Sequence, residues 1–307
     1  MSLVYLGTSA FAAAVLRTLA GSADRPSLVV TPPDRRQGRG RRIASPPAAD
    51  AARELGIELH QARSVNDPEG YAPILDSEAE LAVVCAFGQL IAEPLLTGLE
   101  LLNVHPSLLP RWRGAAPIER AIMAGDERTG TAIMRLTEGL DSGPVALTAE
   151  IEIGPREDFG SLEPRLAALS AELLLEALEL RRHGGLVFEP QAEGGVSYAE
   201  KIERSERRLD PVLAATELNL RTRALNPHVG THLELEGGGR LGVRAATPWT
   251  GPAPPTGELA ELDGRLVLGC GEGALELLRV RPVGGREMAG ADLLRGRGLP
   301  RLSRCPH

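Results

Sequence analysis

The stretch Leu102–Glu119, LNVHPSLLPRWRGAAPIE, joins the end of a buried strand to a stiff polar loop. Asn103, His105 and Ser107 alternate along it, so on an extended backbone their side chains face the same side. Its prolines fix φ and remove amide donors, and its glycine permits a turn. The stretch therefore predicts convergent polar groups at the carboxyl end of a strand, followed by a rigid loop.

Apolar runs and helical segments alternate on the amino-terminal side of this stretch. Ser2–Gly7, Ser27–Thr31 and Leu81–Phe87 resemble buried strands, and Ala49–Gly56 is a helix that ends at glycine. This alternation predicts an α/β fold, a Rossmann-like, doubly wound, mostly parallel sheet. Open sheets of that kind bind ligands at the carboxyl ends of their strands, where the polar triplet would lie.

The texture of the sequence changes near residue 200. Short β-like pieces broken by Gly and Pro follow, as in Thr231–Glu236, Arg240–Ala246, Arg265–Cys270 and Ala274–Val280. They favour a small OB-like β-barrel domain. We expect a catalytic domain at residues 1–190, a linker at 191–208 and the barrel at 209–307.

The polar groups fit acyl transfer without a covalent intermediate. An amide N–H of Asn103 and a donating His105 would meet the charge that develops on a formyl oxygen. Asp141, in a turn between two predicted strands, would orient the imidazole and accept a proton. A hydrolase with Ser107 as nucleophile is disfavoured because no strained nucleophile elbow surrounds that serine. Taken singly, each residue also fits an ordinary structural role.

Composition excludes several other classes. The formal net charge is −7, and Cys85, Cys270 and Cys305 form no CxxC pair, so neither a disulfide framework nor a metal site is indicated. The first turn, Gly7-Thr8-Ser9, lacks the glycine pattern of a dinucleotide site. No signal segment or apolar run of membrane-spanning length is present, so we expect a cytoplasmic protein without a membrane partner.

SLLPRWRGAAPI, preceded by Asn-x-His and followed by GLDSG, resembles the signature of the 10-formyltetrahydrofolate-dependent formyltransferase family, and RWRGAAPI resembles its methionyl-tRNA branch. The resemblance implies catalysis by Asn103, His105 and Asp141, with no metal. It implies that 10-formyltetrahydrofolate is the formyl donor and that initiator Met-tRNA is the acceptor. It also implies donor contacts at Ser107, Leu108, Leu109 and Pro110, and a pterin pocket near Phe87, Gly88 and Leu90.

Two alternatives keep the same scaffold. The first is a folate-dependent transferase acting on a small amine, such as a nucleotide sugar or glycinamide ribonucleotide. The second is a non-catalytic RNA-binding protein. The intact polar triplet disfavours the second, and the arginines described next disfavour the first.

Five arginines lie between residues 35 and 42, interspersed with glycine: Arg35, Arg36, Arg39, Arg41 and Arg42. Their composition fits a solvated flexible loop and an RNA-backbone contact about equally. The resemblance implies that this loop enters the acceptor stem of the tRNA, with Arg39 as its main contact. Further arginines between residues 279 and 304 form a second basic region. We expect a monomer.

Overall fold

A computed structural model describes the chain at residues 2–37 and 42–303. The expected RNA contacts Arg39 and Arg41 lie outside the described residues. The chain divides into two compact units, each made of three segments. The first unit comprises Met1–Pro117, Arg128–Glu152 and Glu163–Ala199. The second comprises Ile118–Glu127, Ile153–Leu162 and Glu200–His307.

The first 199 residues contain eleven described strands and six described helices. The strands are β1 (Leu3–Gly7), β2 (Leu28–Thr31), β3 (Arg35–Gln37), β4 (Arg42–Ala44), β5 (Glu58–Gln61), β6 (Leu81–Cys85), β7 (Glu100–His105), β8 (Arg113–Gly114), β9 (Arg128–Arg135), β10 (Val145–Glu152) and β11 (Tyr198–Ala199). The helices are α1 (Ala10–Ala20), α2 (Pro47–Leu55), α3 (Pro68–Asp76), α4 (Leu95–Gly98), α5 (Pro117–Met123) and α6 (Phe159–Arg182).

Seven strands form the main sheet of the first unit, in the order β10-β9-β7-β6-β1-β2-β5. The strands from β7 to β5 run parallel, whereas β9 pairs antiparallel with both β7 and β10. From β1 the chain moves outward to β2 and β5, then crosses to β6 and β7, so the order reverses between β1 and β6. The expected doubly wound, mostly parallel sheet is confirmed. Its ligand edge is the carboxyl end of these strands.

Burial on both faces explains why the central strands are continuously apolar. Every residue of β1 and β6 is buried, as expected for parallel strands covered by helices. Val4, Leu6, Ala82 and Val84 belong to one core cluster on the sheet. The central strands are thereby fixed in register, and the loops that follow them start from a rigid base.

The described ends of the arginine-rich segment, residues 35–42, belong to two paired strands. β3 and β4 are antiparallel, with Arg35 opposite Ala44. At its base, Asp34 Oδ1 accepts hydrogen bonds from Ser45 Oγ at 2.8 Å and Gln61 Nε2 at 2.9 Å. A guanidinium nitrogen of Arg53 lies 3.6 Å from the other carboxylate oxygen. The described part of the segment is therefore ordered at its base.

The second unit is built on an antiparallel sheet. Its strands are β12 (Thr231–Glu234), β13 (Arg240–Trp249), β14 (Leu259–Leu262), β15 (Arg265–Gly269), β16 (Ala274–Arg281) and β17 (Met288–Ala289), and its helices after residue 200 are α7 (Ala215–Leu225) and α8 (Gly290–Arg297). The order is β12-β13-β16-β15-β14, with β17 beside β16. The small β unit is confirmed, but among the described residues no ladder joins β12 to β14, so the sheet is not closed as a barrel.

One hydrophobic core stabilises this sheet. Leu233, Val243 and Leu277 from the strands pack with Leu218 of α7 and Leu293 of α8. Alternate residues of β12 are buried, the pattern of a strand with one covered face. None of the helices in the described ranges combines the length and the apolar character that crossing a bilayer requires.

Candidate active site

A cavity of about 570 Å³ lies at the ligand edge of the main sheet. Ser9 follows β1, Phe87 follows β6, and Asn103 and His105 end β7; all four line the cavity. Asp141, in the turn between β9 and β10, completes its polar end. The structure therefore brings together the three residues that the sequence singled out for catalysis.

The Asp141 carboxylate accepts hydrogen bonds on both oxygens. Asn103 Nδ2 donates to Oδ1 at 3.2 Å, and the Gly114 backbone N–H donates to Oδ2 at 2.8 Å. Its side chain is only 12% exposed. An amide nitrogen carries two hydrogens, so the bond from Asn103 uses one of them. Asp141 is thus oriented by two donors from different strands, β7 and β8.

The imidazole of His105 is oriented by a backbone carbonyl. Its Nε2 lies 2.8 Å from the Trp112 oxygen, and because a carbonyl only accepts, Nε2 carries a hydrogen. Nδ1 faces Asp141 Oδ2 at 3.6 Å, beyond the range of a direct hydrogen bond. Nδ1 is therefore the ring nitrogen that can take up or release a proton beside Asp141. The orienting role expected of Asp141 is carried in this structure by the Trp112 carbonyl.

Three non-glycine residues around the cavity have left-handed backbone conformations. They are Ala86 (φ 43°), Trp112 (φ 62°) and Asp141 (φ 43°). Such conformations are costly for residues with a Cβ and persist only where surrounding contacts impose them. Ala86 follows β6, Trp112 carries the carbonyl that holds His105, and Asp141 carries the carboxylate. The strain is concentrated where the candidate catalytic groups are presented.

Gly114 is required by a close backbone approach. Its φ is 122°, and a Cβ at this position would lie 2.8 Å from the Ala199 carbonyl oxygen. The short strands β8 and β11 pair here in parallel, with Gly114 opposite Ala199. Ala115 N donates to the same Ala199 oxygen at 2.8 Å. The segment that ends the first unit therefore holds the loop whose N–H binds Asp141.

The residues expected to contact the folate donor fall into two groups. Phe87, Gly88 and Leu90 line the cavity. The lining, as far as the chain is described, does not include Ser107, Leu108, Leu109 or Pro110. Ser107 is completely buried, and its hydroxyl donates to the Arg111 carbonyl at 2.6 Å. Its alternation with His105 ends because the chain turns after β7: the Ser107 N–H donates to the His105 carbonyl at 2.9 Å.

Large apolar side chains form an apolar wall of the cavity. Phe87, Leu90, Ile91 and Leu140 contribute to it. Leu90 is 72% exposed and Leu140 57% exposed, so both present apolar surface to solvent in this structure. A cavity of this size with an apolar wall and a few convergent polar groups has the character of a small-molecule site.

Two features of the first unit were not predicted. Gln191 and Arg113 interact beside the site: Gln191 Oε1 accepts from Arg113 Nε at 3.0 Å and from a terminal guanidinium nitrogen at 2.7 Å. No sequence signal marked Gln191, which lies in a segment expected to begin a linker. Arg113 lies within the RWRGAAPI motif, but the sequence indicates no function for it.

The second unit contains a basic cavity that the sequence did not predict. It measures about 900 Å³, and its lining includes five arginines against two carboxylates: Arg204, Arg207, Arg208, Arg221 and Arg240, with Asp210 and Glu234. His232 lies among them. Burial lowers the pKa of His232 below its usual value, and the charges of Arg240 and Arg207 lower it further. The cavity lining therefore has more cationic than anionic side chains.

The basic region expected near the carboxyl end is partly neutralised. Arg279 pairs with Glu287, and Arg295 pairs with Asp292. These carboxylates are the acidic residues that the sequence places among those arginines. Arg304 lies outside the described residues. The arginines around His232 are also partly paired, Arg208 with Glu234 and Arg221 with Glu217, but they differ from the carboxyl-terminal arginines in lining one cavity.

Comparison with known proteins identifies the family. A family model described as formyl transferase matches residues 1–178, and one described as formyl transferase, C-terminal domain, matches residues 201–298. The chain belongs to the formyl transferase family.

The sequence relatives are more specific. The methionyl-tRNA formyltransferase of Methylococcus capsulatus is 42% identical over 301 residues, covering 97% of this chain and 98% of the relative. That of Halorhodospira halophila is also 42% identical over 301 residues, covering 97% and 96%. Among solved structures, HypX from Aquifex aeolicus in complex with tetrahydrofolic acid has a TM-score of 0.64 at 19% identity. The alignment covers 96% of this chain and 47% of HypX; this likeness shows the fold alone.

Proposed function

We propose that this protein transfers the formyl group of 10-formyltetrahydrofolate to the α-amino group of methionine carried by initiator tRNA, for the initiation of protein synthesis. The observation that carries the proposal is the convergence of Asn103, His105 and Asp141 in one cavity at the ligand edge of the sheet. The two relatives at 42% identity, both methionyl-tRNA formyltransferases, support the choice of acceptor.

The chemistry needs donors for a developing oxyanion and an acceptor for a proton. The amine nitrogen forms a bond to the formyl carbon, the bond from that carbon to N10 of the donor breaks, and the proton lost by the amine ends on N10. The second N–H of Asn103 and a protonated Nδ1 of His105 serve the formyl oxygen. Asp141 accepts the amine proton, because its carboxylate is held in place and lies beside Nδ1.

The folate donor is assigned to the apolar wall. Phe87, Gly88 and Leu90 take its pterin, which leaves the formyl group at the polar end. The loop that carries these residues is well supported: Thr8 Oγ1 donates to the Phe87 carbonyl at 2.6 Å, and Asn66 Nδ2 donates to the Leu90 carbonyl at 2.9 Å. A preformed loop binds with little ordering cost.

The tRNA is assigned to two basic features. The acceptor stem meets the arginine segment, Arg35, Arg36, Arg39, Arg41 and Arg42, whose described base is held by Asp34. The arginine cavity around His232 binds backbone phosphates, so that the second unit contributes affinity without sequence specificity. Arginine suits both roles because its planar donor fork matches phosphate oxygens.

The test is a transfer assay with competing acceptors. Purified protein and 10-formyltetrahydrofolate are incubated with initiator Met-tRNA, with an amino-sugar nucleotide and with glycinamide ribonucleotide, and the formylated product is measured. We expect product with the tRNA alone. Formylation of a small amine without formylation of Met-tRNA would overturn the proposed acceptor. RNA binding without any transfer would overturn the proposed enzyme.

We also infer that the protein acts as a monomer in the cytoplasm. Asn103, His105 and Asp141 approach one another within one copy of the chain, so the proposed chemistry needs no side chain from a second copy. The proposed acceptor, a charged initiator tRNA, is used by cytoplasmic ribosomes in bacteria, which supports the location. Light scattering on the active preparation should give a mass near 32.6 kDa.

A further inference from the structure

The turn that carries Asp141 depends on support from outside itself. Asp141 has a left-handed backbone conformation, and the turn lies between β9 and β10 with its carboxylate directed at Asn103 and Gly114. A small rotation of this turn would change the distance from Asp141 Oδ2 to His105 Nδ1, which is already 3.6 Å. Some contact must therefore hold the backbone of the turn.

Gln191 makes that contact with both hydrogens of its amide. Nε2 donates to the Asp141 carbonyl at 2.8 Å and to the Gly143 carbonyl at 2.8 Å. These two bonds span the turn on either side of Ser142. They fix the backbone of Asp141 directly, whereas the bonds from Asn103 and Gly114 fix its side chain.

The oxygen of the same amide is bound to the loop that presents Gly114. Gln191 Oε1 accepts two hydrogen bonds from Arg113, which precedes Gly114 in β8. Gly114 in turn donates its N–H to Asp141 Oδ2. The contacts form a closed ring: Gln191 to the Asp141 backbone, the Asp141 carboxylate to Gly114, and Arg113 back to Gln191.

We infer that Gln191, itself held by Arg113, is a positioning residue for Asp141. In the described part of the chain, neither residue lines the cavity, so they act on the proposed reaction only by setting where the carboxylate lies relative to His105. The inference rests on the proposed function for the role of Asp141. It also explains why the left-handed conformation at Asp141 persists.

The chemistry of the amide gives a sharp test. Gln191→Glu keeps the size of the side chain and still accepts from Arg113, but it has no hydrogens to donate to the two turn carbonyls. A residue that merely anchors Arg113 would tolerate this change. A residue that holds the Asp141 turn would not, because a carboxylate would then face two carbonyl oxygens.

The expected result is a fall in kcat on the order of 10- to 100-fold for Gln191→Glu, as for other displacements of a catalytic group by about 1 Å. KM for both substrates should stay within about twofold because no binding residue is changed. The matched control is Arg181→Gln. It removes a similarly half-buried ion pair of the first unit, between Arg181 and Glu100 at 2.8 Å, and should leave kcat unchanged.

A cycle with Asp141→Asn separates positioning from general damage. If Gln191 acts through Asp141, Gln191→Glu should lower the rate much less in the Asp141→Asn background than in the wild type. The Gly114 amide proton supplies a readout independent of activity. Its NMR resonance should move upfield in Gln191→Glu as the bond to Asp141 lengthens, and it should not move in Arg181→Gln.

Wild-type kcat in Gln191→Glu, or an equal loss of rate in both backgrounds, would overturn the inference. So would an unshifted Gly114 resonance. Kinetics are measured with whichever amine the wild-type enzyme formylates. An error in the proposed acceptor would then appear in the wild-type assay, whereas an error in the positioning role would appear in the variants.

Discussion

At the scale of single residues, Asp141 has the most demanding surroundings. Both of its oxygens accept from donors that stay in place in an isosteric amide variant. Asp141→Asn would therefore put an NH₂ group against either the Gly114 N–H or the Asn103 amide. The expected loss of activity then has two causes: the proton acceptor is missing, and the new NH₂ group faces another hydrogen-bond donor.

We expect Asp141→Asn to lower turnover on the order of a hundredfold or more. Binding of the folate donor and of tRNA, measured by fluorescence titration, should be nearly unchanged. Asp76→Asn is the control, because Asp76 is an exposed acid of the same unit, at the end of α3. A fully active Asp141→Asn enzyme would remove this residue from the proposed mechanism.

The sequence predicted part of this site, for a physical reason. A spacing of two on a strand brings Asn103 and His105 to one side, and the structure places both in the cavity. Ser107 escapes the pattern because β7 ends at His105. Gln191 could not be predicted, since it reaches Asp141 across 50 residues from a segment with no regular pattern. Alternating side chains indicate which residues of one strand share a face, but they do not indicate which residues from distant parts of the sequence will contact that face.

At the scale of secondary-structure elements, the pair β3 and β4 depends on Asp34. Hydrogen bonds from Gln61 and Ser45, and then the charge of Arg53, lower the pKa of Asp34 below its ordinary value. Because the folded-state pKa is the lower one, this contribution to stability is present above the ordinary carboxyl pKa. It is lost as the pH falls through the lowered value.

Asp34→Asn should loosen the base of this strand pair and raise KM for tRNA. If tRNA binding must then order one more residue, at about 1–2 kcal/mol, KM rises roughly 5- to 30-fold. The KM for the folate donor should not change. Asp50→Asn is a close control, since Asp50 also pairs with Arg53, at 3.1 Å, but does not contact Ser45 or Gln61 in the described structure. Equal effects of the two variants would contradict the role of Asp34.

Strands could be predicted from the sequence where burial on both faces requires a continuous run of apolar residues. The fully buried strands β1 and β6 appear as unbroken apolar runs. The two-residue strands β8 and β11 leave no such trace, because their pairing is set by the close approach of Gly114 to Ala199 rather than by side-chain periodicity. The elements that hold the candidate site together are thus the least visible in the sequence.

At the scale of the whole molecule, charge is unevenly distributed. A net charge of −7 disfavours contact with a polyanion, yet the arginine cavity of the second unit concentrates positive charge. An anion bound there would favour the protonated form of His232, whose pKa is lowered by burial and by Arg240, Arg207 and Arg208 and raised by Glu234. Binding would then take up a proton, so affinity for RNA should rise as the pH falls from neutrality toward the lowered pKa of His232.

Salt titrations of tRNA binding test this assignment. Each phosphate contact removed should reduce the slope of log affinity against log salt concentration by roughly 0.9 on duplex RNA, by analogy with duplex DNA. Arg240→Ala should show this reduction, and His232→Gln should remove the extra gain at low pH. Arg17→Ala, which removes an exposed arginine paired with Glu54 in the first unit, serves as control. An unaltered slope in Arg240→Ala would place the phosphates elsewhere.

The three segments of the second unit are separated in sequence, so the ribosome synthesises them at different times. Ile118–Glu127 and Ile153–Leu162 leave the ribosome long before Glu200–His307, although all three belong to that unit. Arg120 meets Glu206 86 residues later, and Glu119 meets His228 109 residues later. Phe159, whose ring stacks on His228, also emerges before its partner. During translation these side chains lack their native contacts until Glu200–His307 has been synthesised. The nascent chain is therefore most exposed to aggregation and chaperone binding in the interval before that segment appears.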